Sequence, residues 1–264
     1  MGIGEAFGVK KGFFWCVLEA LLVFLRVFPM KIRPLSLLLA LALVSPLLAA
    51  DSVKPFNGED LTGWEAKSGK GTNKWVACET GLDKENPQLL LEMISSPRQE
   101  GSFELVNLAT KHGDSVDLYT KQKFGNCRIE LEVMVPKGSN SGIYVMGEYE
   151  VQVYDSFGKA KMEPSDMGAI YGAAVPSVNA SKAPGQWQKY VIEWQAPKFD
   201  AAGKKIANAK FLKVELNGQV LHKDLEMPGP TPAGVTGKEA AEGPLMFQGD
   251  HGPVAYRNIV ITPM

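Results

Sequence analysis

The stretch Cys127-Arg128-Ile129-Glu130-Leu131-Glu132-Val133-Met134-Val135 decides the fold class. Cys127, Ile129, Leu131, Val133 and Val135 share one parity, and Arg128, Glu130 and Glu132 share the other. Successive side chains of a strand point to opposite sides, so this alternation predicts a strand with one packed and one polar face. The same reading spreads outward. Residues 138–142 (Gly-Ser-Asn-Ser-Gly) form a turn cluster, followed by expected strands at 143–146 and 149–155. Residues 187–195 and 210–216 alternate again. Asn217-Gly218 then supplies a hairpin turn, because both positions tolerate positive φ, with 220–222 as the return strand. A final strand is expected at 256–262. No long segment has helical periodicity. Many short strands punctuated by Gly and Pro predict an all-β sandwich or jelly roll of antiparallel sheets. The Pro- and Gly-rich segments 176–185 and 228–243 read as long loops, which commonly shape sites at the rim of such scaffolds.

The residues before Asp51 differ in kind. Met30-Lys31-Ile32-Arg33-Pro34 is a basic start, 35–48 is apolar and Ala49-Ala50 is a small-residue cut site, the layout of a secretory signal. The apolar run is shorter than the roughly 20 residues that a bilayer crossing needs. An upstream run at 13–28 is interrupted by Glu19 and Arg26, and a start at Met30 would make the signal ordinary. Residues 1–50 are therefore read as a leader cleaved after Ala50, and 51–264 as one domain, periplasmic or extracellular and held by no membrane once the signal is gone. Cys78 and Cys127 remain, either as a disulfide or as two small buried hydrophobes. The 28 Lys and Arg nearly balance the 29 Asp and Glu, and no long single-sign run offers nucleic acid a footprint. Oligomeric state stays open.

The segment Glu148-Tyr149-Glu150-Val151-Gln152-Val153-Tyr154-Asp155 carries the chemistry. If Val151 and Val153 take the core face, then Glu150, Gln152 and Tyr154 line the other, with Asp155 at the strand end. A solvated outer face would explain such a row, yet Glu, Gln, Tyr and Asp are also the side chains that hydrogen-bond sugar hydroxyls, and a carboxylate among them can move protons. Gln248-Gly249-Asp250-His251-Gly252 sets one of three histidines beside an acid, either as a structural loop histidine or as a proton carrier. His112 and His222 lack such company. Trp64, Trp75, Trp187 and Trp194 could stack on sugar rings, but tryptophans in a sandwich more often fill the core, and Trp187 and Trp194 are read so. Arg257 could pair with Glu150 or Asp155, or form a structural salt bridge. Zinc and phosphate-loop motifs are absent, whereas Asp155, Asp250 and Glu150 could hold a divalent metal cation through oxygen ligands.

The ordered series Phe56-Asn57-Gly58-Glu59-Asp60-Leu61-Thr62-Gly63-Trp64, Gly138-Ser139-Asn140-Ser141-Gly142-Ile143-Tyr144, Tyr149-Glu150-Val151-Gln152-Val153, Gly168-Ala169-Ile170-Tyr171-Gly172, Trp187-Gln188-Lys189-Tyr190 and Gly252-Pro253-Val254-Ala255-Tyr256-Arg257-Asn258 resembles the 3-keto-disaccharide hydrolase family, also described as 3-keto-glucoside 1,2-lyase and 3-keto-2-hydroxyglucal hydratase. The likeness runs from Pro55 to Met264. It implies a concanavalin A-like jelly roll that processes oxidised glycosides. Two departures stand out: Glu148 replaces a commonly basic or neutral residue, and Gln248-Gly249-Asp250-His251 carries one residue more than the usual Gln-Asp-His.

A ketone at C3 acidifies the C2 proton, so a base can remove it while the C1 substituent leaves. The expected roles are Glu150 or His251 as base, Asp155 as acid or cation ligand, and Asn140, Tyr144, Gln152, Tyr154 and Arg257 as sugar-orienting groups. Two rivals use the same residues: a non-catalytic lectin-like sugar binder, and a direct two-carboxylate glycoside hydrolase.

Overall fold

A computed structural model describes residues 51–93 and 101–264. The leader expected over 1–50 lies outside the described residues. Two antiparallel sheets dominate. The five-stranded sheet runs β1 (Trp64–Ala66), β5 (Leu118–Phe124), β14 (Gly243–Phe247), β7 (Asn140–Val145) and β8 (Tyr149–Tyr154). The eight-stranded sheet runs β13 (Gln219–Met227), β12 (Ala209–Leu216), β9 (Trp187–Gln195), β6 (Cys127–Met134), β15 (Val254–Pro263), β4 (Glu104–Asn107), β2 (Trp75–Leu82) and β3 (Leu90–Met93). A separate ribbon joins β10 (Lys198–Phe199) to β11 (Lys205–Ala207). The fold is an all-β jelly roll.

Alternation sets which residues meet between the sheets. Ile129, Leu131 and Val133 of β6 face Val151 and Val153 of β8 across a core that also holds Trp194, Phe211, Phe247 and Tyr256. The Phe247 and Tyr256 rings stack with centroids 3.8 Å apart, joining the two sheets by aromatic contact. Trp64, Trp75 and Trp194 are all buried here. Trp187 instead packs partly buried on a smaller cluster with Met134, Val106 and Ala255. Cys127 belongs to the main core and Cys78 to the smaller cluster, so the two thiols are not joined. Burial pushes the Cys127 thiol up to about 12.

Hairpin chemistry follows the backbone rules. Asn217 and Gly218 both take positive φ, at 52° and 83°, between β12 and β13. The β7–β8 turn does the same with Met146 and Gly147, at 53° and 69°. Here the sequence reading was displaced: only Gly138 of the 138–142 cluster turns, and Asn140–Gly142 begin β7, paired to Tyr154–Gln152. The break expected between 143–146 and 149–155 is where the β7–β8 turn falls; what differs is the start of β7, three residues earlier than expected, which takes Gly142 into the sheet.

Candidate functional site

Register across the five-stranded sheet builds the site. Glu150 lies opposite Tyr144, Tyr144 opposite Met246, Met246 opposite Tyr119 and Tyr119 opposite Glu65. Directly opposed residues of antiparallel strands share a face, so these five form one row across the outer surface. A second row runs two residues further along each strand. Gln152 faces Gly142 in β7, and the Gln248 amide donates to the Gly142 carbonyl at 3.0 Å. Beyond it the Gly249 amide donates to Asp117 Oδ1 at 3.0 Å, and Lys67 pairs with Asp117 through backbone and through Nζ–Oδ2 at 3.1 Å.

The sequence expectation of an open polar row needs correction. A roof covers it. Glu148 accepts from the Thr236 amide at 2.8 Å and hydroxyl at 2.7 Å and from the Gly237 amide at 2.9 Å, while the Thr231 amide donates to its carbonyl at 2.9 Å. The Glu150 amide donates to the Thr231 hydroxyl at 2.9 Å, and Lys67 Nζ donates to the Ala233 carbonyl at 2.7 Å. The free edge of β8 is covered as well, where Val151 bridges Ile170. Glu148 thus clamps the loop 231–237, which is a structural task rather than a substrate contact. Glu150 and Gln152 are left 3% and 2% exposed.

Burial dictates the electrostatics. It pushes the Glu150 carboxyl up to about 7; Asp117 and Asp250 add to the rise, while Tyr144 and His251 oppose it. The Tyr144 hydroxyl donates to Glu150 Oε2 at 2.8 Å and also lies 3.3 Å from the Pro232 carbonyl. Burial and the neighbouring Glu150 both raise Tyr144, so the phenol keeps its proton. His251 Nδ1 and Asp250 Oδ1 form a short hydrogen bond. That bond raises the imidazole against the opposing effect of burial, with Asp117 and Glu150 contributing. Although burial works to raise it, Asp250 is held below its ordinary value by the hydrogen bond and charge of His251. A raised carboxyl and a raised imidazole in one field are the pairing expected of a base and an acid poised near neutral pH.

Gly142 makes room for this. A Cβ there would collide with Glu150 Oε1 and lie 2.9 Å from the Tyr144 ring, so the carboxylate occupies the notch that the glycine leaves. Around the notch, Gln152 Oε1, Gln248 Oε1 and Asn140 Oδ1 are buried without a hydrogen-bond partner in the protein. Buried acceptors are rarely left so, and hydroxyl-rich ligands satisfy them. A groove of about 340 Å³, lined by Lys67, Lys70, Ser115, Asp117 and Asp250, adjoins the cluster. Gly142→Ala is expected to lower stability by about 1–3 kcal/mol through overpacking and to reduce turnover as Glu150 is displaced. Thermal melting and steady-state rates measure both.

Several expected site residues stand elsewhere. Asp155 accepts from the Gly138 amide at 2.9 Å and the Phe157 amide at 3.3 Å, closing the loop before β7. Arg257 lies on the other sheet, donating to Glu132 at 2.6 Å with its guanidinium 4.0 Å from the Trp187 ring centroid. It pairs with neither Glu150 nor Asp155. Among the described residues no group of three or more His, Cys, Asp or Glu side chains could hold a metal ion, so Asp155, Asp250 and Glu150 do not form the cation site considered from sequence. Tyr154, opposite Asn140, stands half-buried at the end of β8. His222 is buried against the Gly168 carbonyl at 2.8 Å. His112, which has no acid beside it in sequence, meets His251 edge-on at 4.3 Å. Lys67 and Asp117 were missed because their segments carry no motif; only register brings them beside Gln248.

A jelly roll with a desolvated carboxyl, an acid-paired histidine and unpaired buried acceptors at one notch has the make-up of a carbohydrate-processing enzyme, and the comparisons with known proteins agree. A family model described as the 3-keto-alpha-glucoside-1,2-lyase-like domain matches residues 51–262, and the chain belongs to that family. A candidate glycosyl hydrolase from Parabacteroides distasonis ATCC 8503 is 27% identical, with a TM-score of 0.59 over 81% of this chain and 84% of its own. A second from the same organism, 17% identical with a TM-score of 0.53 over 81% and 94%, shares the fold. None of the curated proteins matches.

Proposed function

We propose that the protein cleaves 3-keto-glycosides by elimination, with hydration of the product as the second half of the reaction. The observation that carries this reading is Glu150, buried over Gly142 with its carboxyl at about 7 and facing the field of a raised His251. Glu150 takes the C2 proton, the electron pair forms the C1=C2 double bond, and the C1–O bond breaks. Protonated His251 gives its proton to the departing oxygen. The products are a 3-keto-2-hydroxyglucal and the free alcohol. Water then adds in reverse sense: His251 takes a proton from water as its oxygen joins C1, and Glu150 returns its proton to C2. Both groups are restored, so the sum is hydrolysis. Gln152, Gln248 and Asn140 accept hydrogen bonds from sugar hydroxyls, and Tyr144 holds the Glu150 carboxylate in place.

The family match supports this substrate class. The test is turnover of a 3-keto-glucoside in deuterated water. Deuterium at C2 of the product is expected. Aglycone release without C2 deuterium would point to direct two-carboxylate hydrolysis, and sugar binding without release, with or without added divalent cation, to a lectin-like role.

Export belongs to the same proposal. The family match begins at residue 51, directly after the expected cut at Ala50, and the Val53 bridge to Ile261 ties the first residues of the domain to β15. Mass spectrometry of the exported protein should find Asp51 at its N-terminus; retention of the leader in the cytoplasm would overturn it.

A further inference from the structure

The row that crosses the five-stranded sheet does not stop at Glu150. Segment 168–171 docks on the free edge of β8: the Gln152 amide donates to the Ala169 carbonyl at 2.9 Å, and the Tyr171 amide donates to the Glu150 carbonyl at 3.2 Å. The antiparallel bridge between Val151 and Ile170 lies between these two bonds and fixes the register, so Tyr171 stands opposite Glu150 and Ala169 opposite Gln152. Ile170 is fully buried in the core with Val151, which sends Tyr171 to the outer face with Glu150. Opposed residues of this kind have Cα atoms about 5.5 Å apart. On the far side of the segment the Gly172 amide donates to the Pro164 carbonyl at 3.3 Å and the Ala173 amide to the Ile170 carbonyl at 2.8 Å, so the Tyr171 ring is presented from a fixed backbone.

Exposure singles this ring out. Tyr171 is 38% exposed, whereas its row neighbours Glu150 and Tyr144 are 3% and 1% exposed. The roof gives way beside it: the Thr231 hydroxyl accepts from the Glu150 amide, and the carbonyl of the same residue is taken by Tyr171. An aromatic ring next to the base and open to solvent is a surface for the C–H side of a pyranose.

The reacting groups orient that pyranose. His251 is carried by the chain that leaves β14, two strands from β8 on the side away from Tyr171. With C2 over Glu150 and C1 toward His251, the order of atoms in the ring sends C3 and C4 toward Tyr171. In a glucose-configured chair the hydrogens on C2 and C4 are both axial and lie on one face. The face that offers its C2 hydrogen to Glu150 therefore offers its C4 hydrogen to the Tyr171 ring. Inversion at C4 sets a hydroxyl there instead, against an apolar surface where it loses a hydrogen bond to water.

We propose that Tyr171 is the platform for the sugar ring and reads its configuration at C4, an inference that rests on the elimination reading because Glu150 and His251 set the ring's direction. Tyr171 holds a glucose-configured ring and rejects the galactose-configured one.

The experiment is calorimetry on the full mature chain carrying Glu150→Gln, so that binding is read without turnover, with methyl 3-keto-glucoside and separately with its C4 epimer. The glucoside is expected to bind about tenfold more tightly. Adding Tyr171→Ala should weaken the glucoside by about that factor, leave the epimer as it was and so erase the preference, while Tyr171→Phe, which keeps the ring, should retain it. The side chain is exposed, so both variants should keep the melting temperature of the Glu150→Gln chain. Absence of binding to either sugar, equal affinities before Tyr171 is changed, a preference that survives Tyr171→Ala, or an equal loss for both epimers would each overturn the proposal. Loss of the preference together with deuterium at C2 of the wild-type product strikes this inference alone; a preference that stands without C2 deuterium strikes the elimination mechanism and leaves the contact.

Discussion

Glu150→Gln is expected to abolish the chemistry while making the protein more stable at alkaline pH. Removing a positioned general base costs about 10²- to 10⁴-fold in turnover. The amide keeps an acceptor for Tyr144, so the notch persists. Stability moves the other way because the carboxyl is raised from 4.5 in the unfolded chain to about 7 in the folded one. Below about pH 4.5 both states hold the proton and the group is neutral with respect to folding. Between those values the unfolded state releases its proton first, so folding loses about 1.4 kcal/mol per pH unit, up to about 3 kcal/mol above pH 7. Gln carries no such penalty. Denaturant melts of the two proteins should therefore coincide near pH 4 and separate by up to about 3 kcal/mol at pH 8, with the variant the more stable. Coincidence at pH 8 would show that Glu150 is not desolvated, and the proposed base would lose its tuning.

His251→Gln should separate substrates by their leaving group. An acid catalyst matters most when the departing oxygen is strongly basic, so an alkyl or sugar aglycone is expected to slow by about 10²- to 10⁴-fold while a nitrophenol, which leaves unaided, slows little. The pH profile gives the complementary readout. A base that must be ionised sets a rising limb near pH 7, and an acid that must be protonated sets a falling limb above the ordinary histidine range. Asp250 raises both groups. Asp250→Asn should therefore move the whole bell toward acid, rather than narrow it from one side. Equal slowing for both leaving groups would remove His251 from the acid's role.

How much of this could be read from residues alone depends on the distance over which each feature is encoded. The β6 strand and the Asn217-Gly218 turn are local, and parity or φ preference suffices to place them. The outward direction of Glu150 and Gln152 follows from the burial of Val151 and Val153, one residue away on each side. The boundary of β7 was misplaced because Ser, Asn and Gly read as turn residues, whereas Gly142 serves to leave space for a carboxylate from the next strand. Lys67 and Asp117 join the cluster only through pairing with segments far along the chain. Loop 231–237 is the clearest case. Nothing in its composition says that it will cover Glu150, and Glu148, conspicuous in sequence as a departure from its relatives, proved to be the clamp that holds it. Asp155 and Arg257 carried suitable chemistry at unsuitable addresses, one spent on a loop and the other on the opposite sheet.

The phenol of Tyr144 has a single hydrogen and two oxygens within reach, one on Glu150 and one on the Pro232 carbonyl. When Glu150 carries a proton it can donate a hydrogen bond to the phenol oxygen, freeing the Tyr144 hydroxyl to donate to the Pro232 carbonyl. When Glu150 ionises it claims that hydrogen, and Pro232 is left without it. Seating of the covering segment and protonation of Glu150 therefore favour one another, and in the proposed mechanism each ionisation of the base gives up one of the several contacts that hold that segment down.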